Sequence, residues 1–226
     1  MGLHANCWDL YEKAMKEAKY NVAVDIGSND GGYTATLRQH GFGVIAFEPV
    51  PKMFAKLKER FKDDLEVVCR NLAMSDRPEI IHDCRVMMAW SLGDPAKVGM
   101  SVSPDHKDDE PFDMICDTLD HTLEYLQISH VGIIKLDVDG YEPKVLKGAE
   151  KTIRRDKPPI LCELSEYPER MGHDPKAFIN YIFDLGYKIC ALDGKMECTT
   201  WEQVEPYYPR PHSKVIGSFD VMLLPR

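Results

Sequence analysis

The chain lacks most of what would mark a secreted, membrane-bound or nucleic-acid-binding protein. Its seven cysteines are odd in number, include no Cys-x-x-Cys pair and follow no signal peptide. A disulfide framework is therefore disfavoured, and reduced, mostly buried thiols in a cytoplasmic protein are expected. Cys190, Cys198 and His212 do not have zinc spacing. No apolar run approaches the roughly 20 residues needed to cross a bilayer, and Asn6 stands where myristoylation of Gly2 would need Ser or Thr. No basic run relieves the net charge of -9, which argues against nucleic-acid and membrane-surface partners. Internal repeats and low-complexity tracts are absent too. What remains is a chain of 226 residues, enough for one α/β domain spanning 1–226 and too short for two full ones.

The informative presence is Val22 to Gly32, Val-Ala-Val-Asp-Ile-Gly-Ser-Asn-Asp-Gly-Gly. A short apolar run entering a glycine-punctuated turn and then a helical pattern predicts a buried parallel strand handing over to a helix whose free N–H groups face a ligand. Gly27, Gly31 and Gly32 sit at the turn, where only glycine lets backbone approach a ligand without a Cβ. The dinucleotide spacing Gly-x-Gly-x-x-Gly is missing, since Asn29 occupies its second glycine. Val44 to Phe47 is a second apolar run, and it ends in Glu48. An acid at that place suits ribose hydroxyls. The alternative is a glycine-rich turn in an α/β protein that binds no nucleotide.

Around this unit the pattern is wound. Residues 1–20 carry an amphipathic helix, with Trp8, Tyr11, Met15 and Ala18 on one face. Helices are expected over Tyr33 to His40 and Pro49 to Phe61, and a strand over Leu65 to Cys69. That strand runs into the polar turn Asn71 to Asp76 at a carboxyl end, where open α/β sheets bind ligands. Between 77 and 113 the alternation lapses into short strands and a Gly/Pro/Ser/Asp-rich stretch with Met100, His106 and Asp108-Asp109-Glu110, either an acceptor lid or a surface loop. Further helices are expected from Thr118, over Tyr141 to Arg154 and over Pro175 to Leu185. Tyr187 to Leu192 and Phe219 to Leu224 read as two late strands, one an antiparallel addition at the sheet edge.

Val131 to Gly140 carries the second chemical signal. Strand alternation puts Lys135 and Asp137 on one face and Ile134, Leu136 and Val138 on the other. A lysine inside a sheet covered on both faces needs a carboxylate, either Asp137 or Glu163 at the end of Ile160-Leu161-Cys162-Glu163. Asp137, Asp139 and Glu163 are hard oxygen ligands that would suit Mg²⁺, but Lys135 competes for them, so a metal is possible and not favoured.

Taken in order, Val-Asp-Ile-Gly-Ser-Asn-Asp-Gly (24–31), Phe-Glu-Pro (47–49), Leu-Ala-Met-Ser-Asp (72–76), Asp-Thr-Leu-Asp (117–120), Ile-Lys-Leu-Asp-Val-Asp-Gly-Tyr-Glu (134–142) and Ile-Leu-Cys-Glu (160–163) resemble the FkbM family of S-adenosylmethionine-dependent methyltransferases. One departure is Asp139, where the family usually has Glu. The resemblance implies a doubly wound, mostly parallel seven-stranded sheet with an antiparallel last strand, and O-methyl transfer to a hydroxyl of a sugar, glycan or related small molecule. It places the methionine part of the cofactor at Asp25, Gly27 and Ser28 with Asn29 and Gly31, and the ribose at Glu48 beside Pro49. The adenine side falls to Asn71, Leu72 and Ala73 or to Ser75 and Asp76, and Asp137 lies beside the sulfonium. A hydroxyl acceptor needs a general base; Asp137 comes first, with Glu163 and His173 behind it and Lys135 beside them. A monomer or homodimer is expected. The competing readings are methylation of a protein or nucleic acid, and a cofactor-binding module without turnover.

Overall fold

The computed structural model describes residues 9–84, 87–88, 101–102, 111–209 and 217–226. Along the chain, α1 (Asp9–Lys16), β1 (Val22–Ile26), α2 (Gly32–Gln39), β2 (Gly43–Phe47), α3 (Pro51–Arg60) and β3 (Val67–Arg70) form the first wound half. Next come β4 (Ala73–Met74), β5 (Glu79–Cys84), β6 (Met87–Met88), β7 (Ser101–Val102) and β8 (Phe112–Asp117). The chain then returns through α4 (Leu119–Tyr125), β9 (Ile133–Leu136), α5 (Glu142–Gly148), α6 (Glu150–Asp156) and β10 (Ile160–Ser165). It closes with α7 (Tyr167–Arg170), α8 (Pro175–Asp184), β11 (Tyr187–Ala191), β12 (Glu197–Cys198), α9 (Trp201–Val204) and β13 (Ser218–Pro225).

The main sheet runs β12-β11-β13-β10-β9-β1-β2-β3. Neighbours from β10 to β3 are parallel, and β13 lies antiparallel between β10 and β11. The doubly wound expectation holds, but the strands number eight rather than seven. The extra one is β12: the Asp193-Gly194 turn folds the chain back so that Cys198 pairs with Ile189, and Ala191 donates its N–H to the Met196 carbonyl at 3.0 Å. Nor is β13 at the edge, because β11 and β12 lie outside it.

Strand alternation divides the core. Val24, Ile26, Ile134, Leu136, Cys162 and Val221 face one cluster with Leu123, Val145, Ile153 and Phe178. Ala23, Val44, Ile133, Leu161 and Met222 face another, closed by Tyr11, Met15, Leu37 and Leu57. Helices therefore cover both faces, as a parallel sheet requires. Starts follow the local chemistry: Pro51 and Pro175 occupy first turns, where a missing N–H costs nothing. Thr118 and Asp174 accept the N–H groups of His121 and Lys176.

Two expected helices change length. The first is described only from Asp9 and stops at Lys16; Tyr20 beyond it stacks on His130 with centroids 4.3 Å apart. The single helix expected over Tyr141 to Arg154 is two, because Asp120 of α4 takes the N–H groups of Lys151 and Thr152 at 2.9 Å each and so caps a second start. The 77–113 segment contributes β5, which pairs antiparallel with β8 while β4 joins β8 in parallel, a separate small sheet. Met100, His106 and the acidic run 108–110 lie outside the described residues.

The small sheet leans on α5 at Gly148, where an added Cβ would lie 2.0 Å from the Ser75 carbonyl oxygen. Gly148→Ala should therefore force backbone apart and destabilise the protein by about 1–3 kcal/mol, read as a fall in Tm of several degrees; an unchanged Tm would show that the contact yields freely.

Candidate active site

The β1-to-α2 turn is pressed against β9. Gly27 has φ 77°, and a Cβ there would stand 1.9 Å from the Asp137 carbonyl oxygen, so no other residue fits. The turn's own N–H groups are taken within the protein. Gly27 and Ser28 both donate to the Phe47 carbonyl at 3.0 Å, Gly31 donates to Ser28 at 2.8 Å, and Asn29 donates to Glu48 Oε2 at 2.8 Å. Buried N–H groups need partners, and the tip of β2 supplies them. Ser28 turns its hydroxyl onto the Asp25 carbonyl at 2.8 Å.

Glu48 accepts from Asn29 through one oxygen and from Val50 N–H, at 2.9 Å, through the other. It is buried. Burial pushes its pKa up to about 7, although the two backbone donors and Lys135 pull the other way.

Beneath the turn runs a row of charges on one face of four strands. Asp25 on β1 is level with Lys135 on β9, and Glu163 on β10 faces Asp220 on β13. Asp25 is wholly buried, with Thr34 Oγ1 donating to its Oδ2 at 2.6 Å and Lys135 Nζ lying 3.6 Å from its Oδ1. Lys135, 3% exposed, also lies 3.5 Å from Asp137 Oδ2 and donates to the Gly27 carbonyl at 2.6 Å. Burial works against its charge, but Asp25, Asp137 and Glu48 outweigh that and raise its pKa. Of the two partners the sequence offers Lys135, the structure selects Asp137 and adds Asp25.

Burial first, and then the charges of Asp137, Asp139 and Asp220, push Glu163 up to about 7. Burial and Asp137 push Asp220 up to about 6. Like charges directly opposite on paired strands are unfavourable, so Glu163 and Asp220 hold protons more tightly than exposed acids. Glu142, buried at the start of α5, accepts from Val138 N–H at 3.1 Å through Oε1, while among the described residues no hydrogen-bond partner meets the geometry for its Oε2; burial lifts it to about 8 against the pull of the backbone donors around it. Asp137, Asp139 and Glu163 each offer an oxygen within 4.8 Å of the others. That spacing suits a hard cation, although Lys135 already neutralises Asp137.

The other expected residues divide. Asn71 donates its amide to the carbonyls of Glu48 and Pro49, both at 2.9 Å, and so stands beside Glu48. Leu72 packs on the core, Ala73 belongs to β4, and Ser75 is fully buried with its N–H on Asp117. The charged neighbours of His173 are Lys144, Lys147 and Asp76; burial and the two lysines lower its pKa, and the carboxylate row lies elsewhere. Sequence reasoning gave no role to Asp220, Glu142, Thr34 or Tyr33. The alternation of β13 puts Asp220 on the face of Met222, away from Val221, a signal readable once the pairing with β10 is known. Tyr33, the second residue of α2, holds its ring 5.1 Å from Lys135 Nζ.

The family model described as "Methyltransferase FkbM domain" matches residues 25–189. Among solved structures, an FkbM methyltransferase from Methylobacillus flagellatus superposes with a TM-score of 0.52 at 16% identity, covering 90% of this chain and 43% of that one. This chain thus spans less than half of that protein. An rRNA methylase from Streptococcus thermophilus gives a TM-score of 0.49 at 11% identity over 100% of this chain and 99% of that one. A TehB-like methyltransferase from Corynebacterium glutamicum gives 0.45 at 11% identity over 98% and 87%. A search of curated protein sequences found no match. No helix among the described residues is long and apolar enough to cross a membrane.

Carboxyls whose folded pKa is raised leave the folded protein holding more protons than the unfolded chain between about pH 4.5 and 8. Stability must therefore fall as pH rises through that window. Thermal melts of the wild type should show Tm declining from pH 5 to pH 8, and Glu142→Gln should flatten the decline; a Tm that rises toward pH 8 would contradict the arrangement.

Proposed function

Because this chain belongs to the FkbM methyltransferase family, we propose that it transfers a methyl group from S-adenosylmethionine to a hydroxyl oxygen of a sugar, a glycan or a related small molecule. The observation that carries the reading is Glu163: a half-buried carboxyl poised near pH 7 beside Asp137, at the strand tips next to the Gly27 turn. A general base works best when its pKa lies near the working pH. Asp137, first choice on sequence, is already engaged by Lys135 at 3.5 Å.

The residues fit the cofactor. Gly27 leaves no side chain over the turn; Glu48, its two oxygens already oriented by backbone donors, keeps acceptor capacity for ribose hydroxyls. Asp137, 40% exposed, is the carboxylate of the Lys135 pair open to a cationic group. Asp25 is sealed behind Thr34 and Lys135, so it supports the turn from below. Bound S-adenosylmethionine supplies an electrophilic methyl on a positively charged sulfur. The chain's part is to hold the acceptor oxygen in line, an effect that contributes roughly 7–11 kcal/mol in well-oriented systems, and to take its proton at a Glu163 carboxylate oxygen. Asp220, opposite Glu163, keeps that proton affinity high.

Methyl-labelled S-adenosylmethionine incubated with mono- and oligosaccharides should yield O-methylated products by mass spectrometry. Glu163→Gln should lower kcat/KM by about 10² to 10⁴, and wild-type kcat/KM should climb with pH to a plateau above about 7. In calorimetry, Glu48→Gln should weaken both S-adenosylmethionine and S-adenosylhomocysteine by tenfold or more, since an amide cannot accept from both Asn29 and Val50; undiminished affinity would remove Glu48 from the site. The charged ligand should also gain on the neutral one as pH rises from 6 to 8, because ionised carboxyls favour the sulfonium.

A further inference from the structure

A cavity of about 360 Å³ lies between α1 and α2, lined by Tyr11, Glu12 and Met15 of α1, by Tyr33 and Thr36 of α2 and by His40 at the C-terminal cap of α2. Positions 33, 36 and 40 share one helical face over two turns, so the groove runs about 10 Å along α2. Tyr11 and Met15 are buried and form its floor, while Glu12 and His40 are exposed at its rim. Its volume lies within the range of small-molecule sites. Tyr33 is a wall shared with the carboxylate row. Its ring stands edge-on to Tyr11 at 6.5 Å and faces Lys135 Nζ, and its charged neighbours are Asp220, Asp137, Asp25 and Glu163.

We propose that this groove is a second acceptor subsite, holding the distal ring of an oligosaccharide or glycoside whose reacting hydroxyl lies at Glu163. The inference rests on the reaction proposed above. The half-buried Tyr33 ring presents apolar surface to the C–H face of a pyranose, over a floor in which Tyr11 and Met15 are almost wholly covered, and a carboxylate, a hydroxyl and an imidazole at the edge meet its hydroxyls. Such a mixture of apolar walls and few polar groups is what orients a small neutral ligand. The groove begins at Tyr33 and leads away from the row, which suits an acceptor of two or more rings better than a monosaccharide.

The test uses methyl glycosides of glucose, galactose, mannose and rhamnose with their di- and trisaccharides. Di- and trisaccharides should show KM values at least tenfold below those of the matching monosaccharides. Thr36→Trp, which fills the groove with an indole, should erase that preference, and His40→Ala should reduce it, with thermal melts reporting an intact fold. A KM independent of ring number, or a preference for longer acceptors that survives Thr36→Trp, would overturn the groove assignment alone. Failure to methylate any saccharide while S-adenosylmethionine binds would overturn the proposed reaction and the groove with it.

Discussion

One buried ammonium ties the site together. Lys135 reaches from β9 to the carboxylates of Asp25 and Asp137 and to the carbonyl of Gly27, thereby joining the first strand, the fourth parallel strand and the glycine turn between them. A charge this deep is costly unless it is paired and hydrogen-bonded, and here each partner needs the other. Without the lysine, Asp25 would be an uncompensated carboxylate with no exposure to water. Without the acids, the lysine could not stay charged. The turn is therefore fixed from beneath by electrostatics and from above by Glu48 and the Phe47 carbonyl, and little freedom is left to it.

Beyond Lys135 the balance of charge is lopsided. Glu163, Asp220 and Glu142 crowd the same strand tips, and their raised pKa values measure the unfavourable energy stored there. Local rules are commonly broken at functional sites and compensated elsewhere. The compensation lies in the two apolar clusters that sandwich the sheet, where strands are covered on both faces. Stability comes from the layers, which hold the row of acids in place.

Much of this was legible in the order of residues. The alternation of Ile134, Lys135, Leu136 and Asp137 requires a charged pair inside the sheet, and the spacing of Gly27 and Glu48 requires adjacent strand tips. What escaped depended on contacts distant in sequence. The N–H groups of Gly27, Ser28 and Asn29 are taken by residues about twenty positions away, which the local pattern does not disclose. The break between α5 and α6 is made by Asp120, thirty-one residues before Lys151. His173 sits among lysines because α5 turns Lys144 and Lys147 toward it, which a loop position does not disclose. Strand β12 has two residues, too few for any periodicity.

The placement of β13 has a consequence for how the molecule assembles. It slots between β10 and β11, bonding both, so these two are joined into one sheet only once residues 218–225 have left the ribosome. Pairings so far apart along the chain close late. The acid that faces Glu163 arrives on that same strand, so a nascent chain that has not yet reached residue 220 carries half of the proton-holding pair.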